Sequence, residues 1–305
     1  MTIRLAKPEE HRQIYHWWKD IFAFDDGGHI DYYFATYVPK AILYVLVDEH
    51  DELLCALNVH LKTLVINEAK FQTSFIVGIF TPPKHRHQGY MHKLLSGVLD
   101  ERSHTDLFTL IQAYEPGIYA PFGFVDLYAR RQFILDAKHI PVLSSQGVTY
   151  EPDPIAMTAL YHRFTSHFNA YAHRQVTDMS DLIGEVKAQQ GRIISVGSGA
   201  DLSAYAFIFP HGTHIEIDEI VYTDAKALLQ ILSTLLASSP KVLLKVSQAE
   251  DLTKLFPKAP MERVPYTALR INNLDLFNTH FKVSATNTTA ALVAFKRPVW
   301  FRENQ

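Results

Sequence analysis

The segment Phe75-Ile76-Val77-Gly78-Ile79-Phe80-Thr81-Pro82-Pro83-Lys84-His85-Arg86-His87-Gln88-Gly89-Tyr90-Met91 constrains this chain more than any other. An apolar strand runs into Thr81, Pro82 and Pro83, where proline removes a ladder donor and ends the pairing. Just beyond, Met91, Leu94, Leu95, Val98 and Leu99 recur at helical spacing. A strand therefore feeds an amphipathic helix through a loop of the form Arg-x-x-Gly. The first turn of a helix has backbone N–H groups without intrahelical acceptors, and these form an anion site. Gly89 allows close backbone approach and Arg86 adds a fixed cation, so a pyrophosphate is the natural occupant. The tetrapeptide alone is common in surface loops, and its context has to decide.

That context is a repeated α/β (α+β) pattern. Ile3 and Leu5 alternate as in a short strand, and Pro8, Glu9 and Glu10 start a helix that keeps Ile14, Trp17, Trp18, Ile21 and Phe22 on one side. After a loop with Asp25 and Asp26, strands are expected over 41–48, 53–65 and 71–80, joined by short turns in an antiparallel meander. The helix after Gly89 leads to a strand over 107–111, then to Gly117–Phe124 and a β-rich stretch over 128–135. Polar, proline-containing chain around 143–153 reads as a linker. Beyond it the pattern predicts helices over 156–171 and 179–189, strands over 192–196, 204–209 and 214–222, a helix over 225–237 and a strand over 242–246. This repeats the helix, three strands, helix, strand order without matching residues. At 305 residues, the chain has room for two such units, each a mixed, mostly antiparallel sheet flanked by helices.

Composition excludes several functions. With 48% hydrophobic and 20% charged residues the chain can bury a substantial core, and a net charge of −3 gives no electrostatic case for a nucleic-acid or membrane partner. No apolar run is long enough for a signal peptide core or a membrane span, so the cytoplasm is the default address. The single cysteine, Cys55, lies in an apolar run and reads as a buried small hydrophobe.

The loop Arg86-His87-Gln88-Gly89-Tyr90-Met91 resembles the acyl-CoA loop of the GNAT superfamily, and Tyr119-x-x-x-Gly123-Phe124 resembles the tyrosine motif after that family's fifth strand. More narrowly, 81–91 and 115–124 resemble the Eis-like (enhanced intracellular survival) branch, whose members carry a second, degenerate GNAT domain. The resemblance implies two tandem GNAT-like domains: a catalytic one over 1–145 with the acetyl-CoA site, and a degenerate one over 150–280. A tail over 281–305 follows, with Pro298-Val299-Trp300-Phe301 similar to the family's C-terminal ending, as though the usual sterol-carrier-like domain were missing. It implies acetyl-CoA as co-substrate, held by Ile79, Phe80, Thr81, Arg86, His87, Gln88, Gly89, Tyr90, Met91 and Tyr114. Tyr114 stands where the branch usually has a small polar residue, and Met91 where the loop usually has Gly or Ala.

The implied reaction is transfer of an acetyl group to a primary amine of a small molecule or a peptide lysine. Backbone N–H groups over Ile79–Thr81 would receive the developing carbonyl charge. Tyr119 is the expected acid for the departing sulfur, because a phenol near pKa 10 is protonated at neutral pH and a thiol near 8.5 needs only partial proton donation. The base stays open among Asp25, Asp26, Glu115 and the C-terminal carboxylate of Gln305. The family's members resemble one another in turning their C-terminus toward the active site. Asp25, Asp26 and Glu115 are also the expected contacts of a cationic acceptor. Tyr32, Tyr33, Phe34 and Tyr37 either line that pocket or form a helix packing face. No metal is expected: His85, His87 and His92 crowd the loop but sit where an anion should bind. Homo-oligomerisation stays open. Two other readings compete, a non-catalytic acyl-CoA-binding or sensing protein of the same fold and a purely structural α/β protein.

Overall fold

A computed structural model of the chain describes residues 1–22, 28–112 and 115–303. The chain forms two compact units. The first comprises 1–127, 266–296 and 303–305, and the second comprises 128–265 and 297–302.

The elements of the first half follow the expected order with one helix, α2, added before the meander: β1 (Thr2–Leu5), α1 (His11–Ile21), α2 (His29–Thr36), β2 (Ile42–Val47), β3 (Leu53–Ile66), β4 (Ala69–Phe80), α3 (Tyr90–Ser103), β5 (Phe108–Gln112) and β6 (Val125–Leu135). In the first unit the strands lie in the order β1, β2, β3, β4, β5, β13, with β13 running Met261–Ile271. The β4–β5 pair is parallel and every other pair described in this sheet is antiparallel. Both faces are covered. Cys55, Leu57 and Val59 of β3 and Ile76 of β4 pack with Leu94, Leu95 and Val98 of α3, each large side chain contributing about 1.5–3 kcal/mol by leaving water. The opposite face carries α1 and α2, where Trp18 stacks on Tyr33 with ring centroids 4.7 Å apart. Tyr33 and Tyr37 are buried there, so the α2 aromatics serve as a packing face. A buried ion pair ties α3 to the sheet: Arg102 Nη2 donates to Asp106 Oδ2 at 2.8 Å, and Ser74 Oγ of β4 donates to the same oxygen at 2.5 Å.

The second half continues with β7 (Val148–Thr149), α4 (Pro154–Thr165), β8 (Tyr171–Ala172), α5 (Val176–Ala188), β9 (Arg192–Val196), β10 (Ala204–His211), β11 (His214–Tyr222), α6 (Ala225–Leu236) and β12 (Val242–Ser247). After β13 come α7 (Leu274–Phe281) and α8 (Thr288–Ala291). The second unit's strand order is β6, β12, β11, β10, β9, β7, again with one parallel pair, β11–β12. β10 shows why its sequence is apolar throughout: Ala204, Ala206 and Ile208 pack toward α6, while Tyr205 and Phe207 pack toward α4 and α5. The glycine-rich stretch 197–201 is the connection between the antiparallel strands β9 and β10.

One strand differs from its expected place. The stretch 128–135 reads as the last strand of the first half, yet β6 pairs with β12, from Val242↔Leu135 to Ser247↔Arg130. The fifth strand of the first unit is flanked instead by β13, from Thr267↔Gln112 to Ile271↔Phe108. Both strands are antiparallel to their neighbours and both are apolar on one face, so hydrophobic patterning alone cannot say which β5-type edge each will cover.

Candidate active site

The site begins where two parallel strands part. Among the described residues β4 pairs with β5 from Thr73↔Phe108 to Ile76↔Ile111, although β4 continues to Phe80. At the same level the β3–β4 register shifts, with Asn58 opposite Val77 but Ala56 opposite Phe80. Gly78 lies in this bulge at φ +60°, and a Cβ there would stand 1.9 Å from a ring carbon of Trp18. Only glycine fits both the dihedral and the close approach. Beyond Ile76, the edge of β4 that faced β5 has no ladder partner among the described residues, where the pairing ends at Ile76↔Ile111. Ile79 and Thr81 are half-buried along this stretch and Phe80 is buried.

The parted strand leads into the loop. A 3-10 turn at Pro83–His85 is followed by Arg86, exposed, whose Nε donates to Thr81 O at 3.1 Å. His87 and Gly89 adopt left-handed conformations at φ +61° and +78°. Gly89 is the N-cap of α3 and offers no side-chain cap. The first bond back from α3 is Lys93 N to Gly89 O at 3.0 Å, which leaves the preceding amides for a ligand or water. A Cβ on Gly89 would meet nothing within 4 Å, so the space over the loop is open. Loop amides, an exposed guanidinium and an uncapped helix start suit a pyrophosphate. Tyr90 OH donates to Gln88 Oε1 at 2.8 Å and shapes the loop's far side.

Tyr119 sits between two 3-10 turns, Pro116–Ile118 and Ala120–Phe122, with Gly123 at φ +83° closing the second. Its ring packs against the core beneath α3, as do Ile79, Tyr90, Met91 and Phe122. Tyr119 is thereby brought to the same end of the sheet as the parted strand and the loop. Burial pushes its phenol up, so the group is protonated at neutral pH.

The other expected site residues are distributed differently. Glu115 is exposed. Asp25, Asp26, Tyr114 and Gln305 lie outside the described residues. His92 packs its ring 4.8 Å from that of Phe122, and His85 Nε2 lies 3.4 Å from Glu52 Oε1, while among the described residues no three potential ligands converge as they would on a metal. Sequence reasoning passes over Gly78, although an isolated glycine inside an apolar strand signals a bulge. It also passes over Asn58, the lone amide in the run Leu53–Val59.

The second unit repeats the geometry and fills it. β11 pairs with β12 only from Ile215↔Val242 to Ile217↔Leu244, and a register shift leaves Asp218 bulged, since Phe207 faces Glu219 and Ile208 faces Ile217. The Asp218 carboxylate is held by Arg302 and by Arg130 Nη1 at 2.8 Å, with Lys245 Nζ at 3.5 Å. Glu219 receives both terminal nitrogens of Arg174, at 2.8 and 2.9 Å, and the Tyr205 hydroxyl at 2.8 Å. The chain just before Arg302 is anchored too, with Asn169 N donating to Pro298 O at 2.7 Å and Ser247 Oγ to Val299 O at 3.1 Å. Asp224 caps α6 by accepting from Ala227 N at 3.0 Å.

A bulged strand parting from a parallel neighbour, with a glycine loop opening on the following helix, defines a mixed α/β acyltransferase fold of the GNAT type. Residues 2–125 match the family model of the acetyltransferase (GNAT) domain. Solved structures share the fold at low identity. A probable N-acyltransferase from Enterococcus faecalis has a TM-score of 0.77 at 13% identity, over 90% of this chain and 72% of that one. Eis1 from Mycobacterium abscessus has a TM-score of 0.69 at 14% identity, over 91% and 75%. A tandem GNAT protein from the clavulanic acid biosynthesis pathway has a TM-score of 0.56 at 12% identity, over 89% and 99%. No curated protein sequence matches the chain.

Proposed function

We propose that this protein is an Eis-like N-acetyltransferase that moves the acetyl group of acetyl-CoA to a primary amine of a small molecule or a peptide lysine. The observation that carries this reading is the parting of β4 from β5 after Ile76, beside the uncapped start of α3. An acyl-CoA would lay its pyrophosphate on Arg86 to Met91 and its thioester along Ile79 to Thr81, where unpaired strand N–H groups polarise the carbonyl. Attack by the neutral amine forms the C–N bond and breaks the C–S bond. Tyr119 then protonates the sulfur. The amine's own proton leaves to a base drawn from Asp25, Asp26, Glu115 or the Gln305 carboxylate, and the same acidic residues would hold a cationic acceptor. On this reading the first GNAT domain is catalytic and the second supports it, and the enzyme works in the cytoplasm. Among the described residues no helix is long and apolar enough to cross a membrane.

The test is thermal melting with acetyl-CoA, followed by turnover with polyamines, aminoglycosides and lysine peptides. A ligand that binds only the folded state stabilises it by about 2.7 kcal/mol at 100 times its dissociation constant, and Arg86→Ala should weaken the effect. Binding with no turnover across the amine panel would favour a non-catalytic acyl-CoA sensor. Absence of binding would leave only a structural protein.

A further inference from the structure

Two polar side chains under α1 and α2 are buried without partners. Asn58 is fully enclosed, and neither its Nδ2 nor its Oδ1 has a hydrogen-bond partner; the same holds for Trp18 Nε1, on a residue 4% exposed. Residues opposite one another in an antiparallel ladder share a face. Asn58 is paired with Val77 on one side and Leu43 on the other. It shares its face of β3 with His60, whose Nε2 meets Tyr33 OH of α2 at 2.8 Å. The opposite face is occupied by Leu57 and Val59 against α3. Asn58 therefore lies on the α1/α2 face, beside Val77 and the Gly78 bulge, and Trp18 packs directly over that bulge.

Buried polar groups without partners are rare, because each forfeits its bonds to water. A lone amide opposite Val77, and an indole N–H in the same state on the side chain that covers the adjacent Gly78, both at the level where the described β4–β5 pairing ends, are the kind of cost a binding site accepts. Neighbouring polar groups do not supply the partner. Burial, together with the Lys62 charge, holds the His60 imidazole down to about 3, so it is neutral and already engaged with Tyr33.

We infer that Asn58 binds the acceptor: Asn58 Oδ1 accepts an N–H of the neutral primary amine and so turns its lone pair toward the thioester. Asn58 Nδ2 and Trp18 Nε1 then donate to an oxygen beside that amine, as in an amino alcohol or an α-amino carbonyl compound. The inference rests on the acetyltransferase reading and adds an acceptor class to it. An amine with a neighbouring hydroxyl or carbonyl satisfies all three groups, whereas a plain alkylamine satisfies only one.

Asn58→Leu, Asn58→Ala and Trp18→Phe test this in the full chain, with ethanolamine-type and plain alkylamine acceptors compared. The expected result for Asn58→Leu is a 10- to 100-fold fall in kcat/KM for the amine, with unchanged affinity for acetyl-CoA and a Tm equal to or above that of the parent protein. Trp18→Phe should narrow the preference for the amino alcohol over the alkylamine. Asn58→Ala removes the same atoms without added bulk and serves if leucine disturbs folding. Unchanged kcat/KM in the Asn58 variants would overturn the inference, as would an activity loss matched by lower Tm and weaker CoA binding. A parent protein that turns over no amine at all would instead bring down the acetyltransferase reading, and the acceptor role with it.

Discussion

At the residue scale, Tyr119 is the most exposed to test. Its ring packs against the core beneath α3, and it faces Phe124 with centroids 6.2 Å apart. Tyr119→Phe keeps that packing and removes only the hydroxyl. General acid assistance is typically worth about 10²- to 10⁴-fold, and an interaction made only in the transition state lowers kcat and kcat/KM together. The expected outcome is a fall of that size with acetyl-CoA affinity and Tm nearly unchanged, measured on matched preparations. Parent-level turnover in the variant would remove Tyr119 from the chemistry and leave water or another side chain to protonate the sulfur. Burial already keeps the phenol protonated across the neutral range.

At the element scale, the two strand-to-helix junctions are built to opposite ends. α3 starts at Gly89, which has no side chain to cap it, and an open loop precedes it. α6 starts at Asp224, whose carboxylate accepts from Ala227 N and is held below its usual range chiefly by its backbone hydrogen bond to that residue. A capped helix start has used its donors and carries a negative charge, so it repels a phosphate. Asp224→Ala is expected to lower stability by about 1 kcal/mol, seen as a small drop in Tm, with acetyl-CoA binding unaltered. A change in CoA affinity would mean that the second junction communicates with the donor site.

At the scale of the whole molecule, the repeat is one of architecture with the second copy closed. The parting of β11 from β12 mirrors that of β4 from β5, but Asp218 occupies the bulge and is neutralised by Arg130, Lys245 and Arg302. A carboxylate there is hostile to a thioester oxygen gathering negative charge. One acetyl-CoA per chain is therefore expected by calorimetry or equilibrium dialysis, and a stoichiometry of two would refute this account of the second unit.

The local pattern was legible in the residues. Prolines at 82 and 83 stop β4, Gly89 opens α3, and period-two and helical spacings place most elements up to β12, though not α2, β7 or β8, because these signals depend on backbone sterics and on which face is apolar. The turn from β4 into α3 could be read for the same reason: it depends on a short contiguous stretch. The pairing of β6 with β12 and of β13 with β5 could not be read, since one antiparallel apolar strand satisfies either edge equally well. Nor could the role of Asn58, which looks like a tolerated polar residue until the ladder sets it on the α1/α2 face with no partner. Arg302 and Asp218 stand 84 positions apart, and their meeting depends on where the chain returns. The sequence by itself determined most of the elements and the strand-loop-helix turn at Gly89, through interactions a few residues long. Only the tertiary structure decided which strands are neighbours and which polar groups are left unpaired, because both depend on contacts between residues far apart in the chain.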